Sequence, residues 1–163
     1  LLQSQPDLQL AVLGLGDERY EHDFGWFAEN FAQQVAFRRE FDDNLAHNLY
    51  AGGDLLLMPS RFEPCGLAQM IAMRYGTLPL VRETGGLKDS VLPYNRFTGE
   101  GTGFSFANYN AHELLFTLQN ALELYHMEPK IWQGLMEQAM QQDFSWQRSA
   151  KEYARIYKEL LAE

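Results

Sequence analysis

The sequence predicts a doubly wound α/β domain with a Rossmann-like parallel sheet, and three observations carry this prediction. Short apolar strand candidates alternate with helix candidates through the first two thirds of the chain. Residues 54–58 are almost continuously apolar, as expected for a strand that is buried on both faces of a parallel sheet. Residues 111–162 carry three successive helical patterns, which predict a helical C-terminal third.

Local signals along the chain define each element. Residues 8–13 become apolar before a Gly-Leu-Gly-Asp turn, which predicts a strand, and Asp17 is a suitable N-cap for the helix that follows. A glycine-rich loop is expected at residues 84–88, followed by an irregular stretch to about residue 103. The other predicted strands are 35–39, 54–58, 78–81 and 103–106, and the other predicted helices are 44–51, 68–75, 111–125, 129–142 and 146–162, the last with Ser145 as N-cap.

Composition excludes several classes of function. The 163 residues are 46% hydrophobic, enough for one domain with a real core. A net charge of −9 argues against a basic nucleic-acid-binding face. No apolar run approaches the roughly 20 residues that a membrane span requires, and no signal-peptide pattern opens the chain. The single cysteine permits no internal disulfide, so a reducing, cytoplasmic location is expected.

Ligands of open α/β sheets bind beyond the carboxyl ends of the strands, and three segments lie at such positions. The first, residues 14–17, resembles the start of a dinucleotide fingerprint, and Glu40 follows at about the distance expected for a ribose contact. Arg19 occupies the position of the third glycine, however, so a plain strand-to-helix turn is the preferred interpretation.

The second segment, residues 60–67, is more specific. Pro64 suits the first turn of a helix, so the amides of Cys65, Gly66 and Leu67 would present free N–H groups to a phosphate or to sugar hydroxyl oxygens. Glu63 adds a carboxylate, which suits a ligand that carries hydroxyls or a cation-like carbon as well as phosphate. The alternative is that Glu63 only complements the helix dipole.

The remaining candidates are weaker. Cys65 as a nucleophile would need a nearby base, and His47, the only histidine near it in sequence, lies inside a helix candidate. A backbone role for Cys65 is therefore favoured. The four histidines show no metal-ligand spacing, so no metal site is predicted. The third segment, residues 83–88, follows a strand, and its two glycines would let it form a second wall of the same cleft.

Two long motifs, "PSRFEPCGLAQMIAMRYGTLPLV" and "ETGGLKDSV", resemble the C-terminal domain of bacterial glycogen synthases and plant starch synthases. The similarity also includes "LGLGD" near the start and "DFSWQRSAKEYARIY" near the end. The resemblance implies a GT-B architecture, with two Rossmann-like domains facing across a cleft. It also implies retaining transfer of glucose from ADP-glucose to an α-1,4-glucan, without a further cofactor.

The same resemblance implies roles for individual residues. Glu63 corresponds to the carboxylate beside the transferred glucose, the one catalytic residue predicted, and Phe41 matches an often aromatic position placed against adenine. A second glutamate, found in many related transferases eight positions after the first, is replaced by Ile71. The full set of predicted substrate-binding residues is Phe41, Ser60, Arg61, Cys65, Gly66, Leu67, Gln69, Thr84, Gly85 and Gly86.

The resemblance also predicts how the chain is organised. Residues 1–163 would be a partial C-terminal nucleotide-sugar-binding domain that packs on its own N-terminal acceptor domain through the last helix. The first strand of the domain, and the Arg and Lys that neutralise the donor diphosphate, would precede Leu1. Three alternatives remain open: a related transferase using UDP-glucose, a nicotinamide-dependent dehydrogenase, and a non-catalytic glucan-binding piece.

Overall fold

Strands and helices alternate in the computed structural model, which describes residues 1–161. The predicted end of the last helix, Ala162, lies outside the described residues. The elements are β1 (Leu10–Leu13), α1 (Glu18–Asn30), β2 (Val35–Arg38), α2 (Asp43–Gly52), β3 (Leu55–Met58), α3 (Ala68–Tyr75), β4 (Leu78–Arg82), α4 (Gly86–Ser90), β5 (Phe104–Phe106), α5 (Ala111–Met127), α6 (Pro129–Met140) and α7 (Trp146–Leu161).

The chain divides into two units, at Leu49 and Tyr50. In the first unit, β1 and β2 pair in parallel, with Leu10 opposite Val35. In the second unit, β3, β4 and β5 form a parallel sheet in that order, with Leu55 opposite Leu78 and Leu80 opposite Phe104. Parallel sheets flanked by helices confirm the predicted α/β class.

The core of the second unit surrounds β4. Leu78, Leu80 and Val81 are completely buried, because helices cover both faces of this strand. From α6, Trp132 stacks on Phe104 of β5 with ring centroids 5.8 Å apart. Each fully buried aliphatic side chain of this kind contributes about 1.5–3 kcal/mol. This core fixes the carboxyl ends of β3 and β4, from which the site loops emerge.

Local sequence signals account for most helix ends. Asp17 caps α1 by accepting a hydrogen bond from the Arg19 amide at 3.0 Å. Ser145 accepts from the Arg148 amide at 3.3 Å, as expected of its predicted capping role. Gly76 ends α3 in the left-handed conformation, with φ 89°. No helix among residues 1–161 combines the length and the apolar character needed to cross a membrane.

One element was not predicted. Residues 84–88 were expected to be a loop, but α4 begins at Gly86 within them. Gly85 precedes this helix with a φ of 45°, and the Leu87 side chain is completely buried in the core. Burial of Leu87 therefore favours a helical turn where local composition indicates a loop, because tertiary packing overrides local propensity.

Candidate functional site

Two segments meet at the carboxyl ends of β3 and β4. We call residues 59–67, which connect β3 to α3, the Glu63 loop, and residues 83–86, which connect β4 to α4, the glycine turn. Both were predicted from sequence as ligand-binding segments. In open α/β sheets, this edge is where ligands bind.

The Glu63 loop differs from its predicted form in one respect. Pro64 was expected in the first turn of the helix, but α3 begins only at Ala68 and Leu67 is its N-cap. Gly66 has a φ of 73°, which is incompatible with a helix that would start at Pro64. The amides of Cys65, Gly66 and Leu67 therefore belong to the loop preceding α3, and the description of all three as helix-start amides is wrong.

The Glu63 loop and the glycine turn are packed directly against each other. The Gly86 amide donates to the Pro64 carbonyl oxygen at 3.3 Å. A Cβ added to Gly85 would overlap the Glu63 carbonyl oxygen, and one added to Gly86 would overlap that of Cys65. The two backbones approach so closely that only glycine fits at both positions. The predicted second wall is therefore in contact with the first.

Charged groups lie on both segments. Glu63 is half-buried, whereas Arg61 is exposed. Glu83 is engaged on both oxygens, because Oε1 accepts from Ser105 Oγ at 2.8 Å and Oε2 lies 3.8 Å from Lys88 Nζ. Glu83 is therefore held within the second unit.

Cys65 is exposed on the Glu63 loop, with its Sγ 3.8 Å from the Gly66 carbonyl oxygen. The histidine weighed as its base, His47, lies in α2 and belongs to the first unit. Within residues 1–161, no group of three His, Cys, Asp or Glu side chains is arranged to hold a metal ion.

Gln69 lies beneath the Glu63 loop with its side chain completely buried. Its Nε2 lies 3.0 Å from the Gly66 carbonyl oxygen, 3.0 Å from Ser90 Oγ and 3.4 Å from the Cys65 carbonyl oxygen. Ser90 Oγ in turn donates to the Gly86 carbonyl oxygen at 2.6 Å. This burial favours a supporting role for Gln69 over direct contact with a ligand.

Arg82 is a site residue that sequence reasoning missed. At the end of β4, its Nε and Nη2 donate to the carbonyl oxygens of Ser60 and Arg61, both at 2.7 Å. Its guanidinium also lies 5.7 Å from the centre of the Tyr109 ring. The available signal was an arginine that ends an otherwise apolar strand directly before the predicted glycine-rich segment.

The first unit contains the other two candidates. At residues 14–17, the Gly16 amide donates to Glu21 Oε1 at 2.9 Å, so it is occupied by a side chain of its own helix. This supports the plain-turn interpretation of the partial dinucleotide fingerprint. Phe41 follows β2 with 83% of its surface exposed, as an aromatic stacking residue would be before a ligand binds.

Comparison with known proteins adds independent information. The family model described as "Glycosyl transferases group 1" matches residues 1–133. Glycogen synthase of Clostridioides difficile (strain 630) is 54% identical over 154 residues, 94% of this chain and 32% of that protein. Glycogen synthase of Bacillus cereus (strain Q1) is 52% identical over 157 residues, 96% of this chain and 33% of that protein.

Solved structures agree with the observed fold. The catalytic domain of starch synthase IV from Arabidopsis thaliana, bound to ADP and acarbose, superposes with a TM-score of 0.75 at 29% identity, covering 96% of this chain and 39% of that one. Sucrose-phosphate synthase from Thermosynechococcus elongatus has a TM-score of 0.67 at 21% identity, covering 99% and 47%. The second likeness concerns the fold alone. These neighbours are GT-B glycosyltransferase domains, as predicted.

The chain spans about a third of the length of the curated relatives it matches. Within that span, the family model covers most of the chain, and the Glu63 loop and the glycine turn lie inside the matched residues. This chain belongs to the group 1 glycosyl transferases.

Proposed function

We propose that this chain forms the donor-binding part of a glycogen synthase, which transfers glucose from ADP-glucose to the non-reducing end of an α-1,4-glucan with retention of configuration. The observation that carries the proposal is the packed pair of segments, the Glu63 loop and the glycine turn, at the carboxyl edge of the second sheet. Identity above 50% to two glycogen synthases supports it.

The proposed site offers groups suited to both halves of a sugar nucleotide. The loop amides of Cys65, Gly66 and Leu67 would bind the donor glucose and its phosphate, because backbone N–H groups readily accept anionic oxygens. Thr84, Gly85 and Gly86 would line the glucose side, with Ser60 and Arg61 at the rim. Phe41 would stack on the nucleotide base.

In the proposed reaction, the bond between the glucose anomeric carbon and the diphosphate oxygen breaks, and ADP leaves with the bonding electrons. The acceptor 4-hydroxyl oxygen forms the new bond on the same face, and its proton passes to a phosphate oxygen of the leaving group. Glu63 would orient the glucose and offset the positive charge that develops at the anomeric carbon. An attacking role for the Glu63 carboxylate is the mechanistic alternative.

The remaining parts of the proposal concern the surroundings of the site. The donor is the only small molecule required besides the glucan, and no metal or further cofactor is invoked. ADP is preferred to UDP as the nucleotide because the starch synthase IV structure contains ADP. A cytoplasmic location accords with the single cysteine.

Helix α7 would pack on an N-terminal acceptor domain. Tyr153, Ile156, Tyr157 and Leu160 are spaced to share one face of the helix, and all four are exposed. An apolar stripe of this size on a charged helix is typical of a surface that is covered in the working enzyme.

A donor comparison tests the proposed function. The full-length enzyme, meaning the complete polypeptide that carries this sequence, is mixed with maltoheptaose and either ADP-glucose or UDP-glucose, and glucan elongation and nucleotide release are measured. Elongation that is faster with ADP-glucose is expected. Elongation only with UDP-glucose would identify the related transferase. Binding of NADH without elongation would identify a dehydrogenase, and binding of maltoheptaose without any turnover a glucan-binding protein.

A further inference from the structure

We infer that Gln69 and Arg82 are positioning residues that orient the peptide groups of the Glu63 loop, so that its amides face the donor. The inference rests on the proposed function and assigns a role to two side chains that need not contact the donor themselves. It starts from which atoms of the loop are already occupied by the protein.

The carbonyl oxygens of the Glu63 loop are held from within the second unit. Arg82 binds those of Ser60 and Arg61. The carbonyl oxygens of Cys65 and Gly66 lie within hydrogen-bonding distance of Gln69 Nε2. That of Pro64 accepts from the Gly86 amide. Five carbonyl groups of one short loop therefore point toward β4, α3 and α4.

Peptide geometry then fixes the direction of the amides. In a planar trans peptide, the C=O of one residue and the N–H of the next point in opposite directions. Since the carbonyl groups of residues 64, 65 and 66 point inward, the amides of Cys65, Gly66 and Leu67 point the other way. Within residues 1–161, none of these three amides has a hydrogen-bond acceptor in the protein.

The charge distribution follows from the same arrangement. Inward carbonyl groups remove five partial negative charges from the rim and leave partial positive N–H groups there, as in other backbone anion sites. Without the donors of Gln69, these peptides could rotate and present oxygen atoms to the diphosphate. Gln69 therefore acts on donor affinity through the backbone, because its own side chain is completely buried.

Ser90 makes the arrangement cooperative. Its hydroxyl accepts from Gln69 Nε2 and donates to the Gly86 carbonyl oxygen, so one hydroxyl joins the support of the Glu63 loop to the start of α4. The Gly86 amide then returns to Pro64. The Glu63 loop and the glycine turn are thus held in one register by a closed ring of hydrogen bonds.

The test uses two variants that keep side-chain size, each with a matched control. Gln69→Met removes both donors without changing length, and Gln133→Met makes the same change on the exposed face of α6. Arg82→Lys keeps the charge but loses the two-pronged geometry, and Arg96→Lys makes that change on an exposed loop.

In the full-length enzyme, Gln69→Met and Arg82→Lys should each raise the KM for ADP-glucose by about 5–50-fold, the range expected when one or two hydrogen bonds are lost. The KM for maltoheptaose should stay within about twofold of wild type. Both controls should leave the two values unchanged. A purely structural role would lower the melting temperature and leave the KM values of the folded enzyme unaltered, which would overturn the inference.

Amide hydrogen exchange separates this inference from the proposed function. In the same variants, exchange at Cys65, Gly66 and Leu67 should be perturbed relative to wild type while exchange in α6 is preserved. If the wild-type enzyme transferred no glucose, the proposed function would fail, and exchange would still report on the loop. Unchanged exchange at these three amides in Gln69→Met would overturn the positioning role.

Discussion

Substituting Gly86 with alanine tests whether the Glu63 loop and the glycine turn form one packed unit. Gly86 is the first residue of α4, so alanine is compatible with its backbone conformation and any effect is steric. An added Cβ would overlap the Cys65 carbonyl oxygen and lie 2.7 Å from the Cys65 carbonyl carbon and 2.9 Å from its Cα. All three neighbours are backbone atoms, which cannot move away by rotating a side chain.

The magnitude follows from these distances. Carbon atoms in contact normally lie about 3.5–4.0 Å apart, so the Glu63 loop would have to recede by about 1 Å. Overpacking of this kind costs about 1–3 kcal/mol, and losing the Gly86–Pro64 hydrogen bond costs about 1 kcal/mol more. Alanine returns about 0.5–1 kcal/mol through its helix propensity. The expected net loss is about 1–3 kcal/mol.

Gly134→Ala is the matched control, because a Cβ at this helical position of α6 would meet no atom within 4 Å. Urea unfolding of the 163-residue chain should give a lower free energy of unfolding for Gly86→Ala and an equal or higher one for Gly134→Ala. In the full-length enzyme, Gly86→Ala should also raise the KM for ADP-glucose. Equal stability and equal donor KM for the two variants would refute the direct packing of these segments.

Three further predictions concern other parts of the molecule. Cys65→Ser should retain most of the activity of the full-length enzyme, because the backbone and not the sulfur of Cys65 is assigned to the site; complete inactivation of a folded variant would contradict this. The 163-residue chain alone should release no ADP from ADP-glucose and oligomaltose, since retaining transfer needs donor and acceptor in one closed cleft; saturable turnover would overturn that expectation. Glu113 accepts hydrogen bonds from the side chain and the amide of Asn108, which hold its pKa below the ordinary value of 4.5. A lowered folded-state pKa stabilises the fold above pH 4.5 and is lost as the pH falls below it. Glu113→Gln should therefore flatten the acid limb of a plot of melting temperature against pH, and an unchanged acid limb would count against the assigned contacts.

Much of the fold was predictable because its signals are local. The helix at residues 68–75 was predicted with its observed bounds, since Gly76 ends it in a conformation that glycine adopts easily. The buried strand β4 was predicted from its apolar run and differs by one residue at its end. Helix α4 was missed because it depends on the burial of Leu87, which is a property of the tertiary structure.

The candidate site was predictable in its location and less so in its support. Glu63, Gly66 and the glycine turn stand out because a carboxylate and glycines at the carboxyl ends of strands are unusual for a purely structural loop. Arg82 was missed because an arginine at a strand end resembles an ordinary surface residue. The start of α3 was placed too early at Pro64, since the competing hydrogen bonds from Gln69 to loop carbonyl groups connect residues whose geometry the sequence does not reveal.

The central claim is that Glu63 serves a transferred glucose, and the turnover of Glu63→Ala in the full-length enzyme tests it most directly. Elongation of maltoheptaose is measured over a range of ADP-glucose concentrations, so that kcat and the donor KM are obtained separately. A preorganised carboxylate that offsets charge in the transition state should lower kcat by roughly 100-fold or more when removed, with a much smaller change in donor KM. A kcat close to that of wild type in the folded variant would contradict the account.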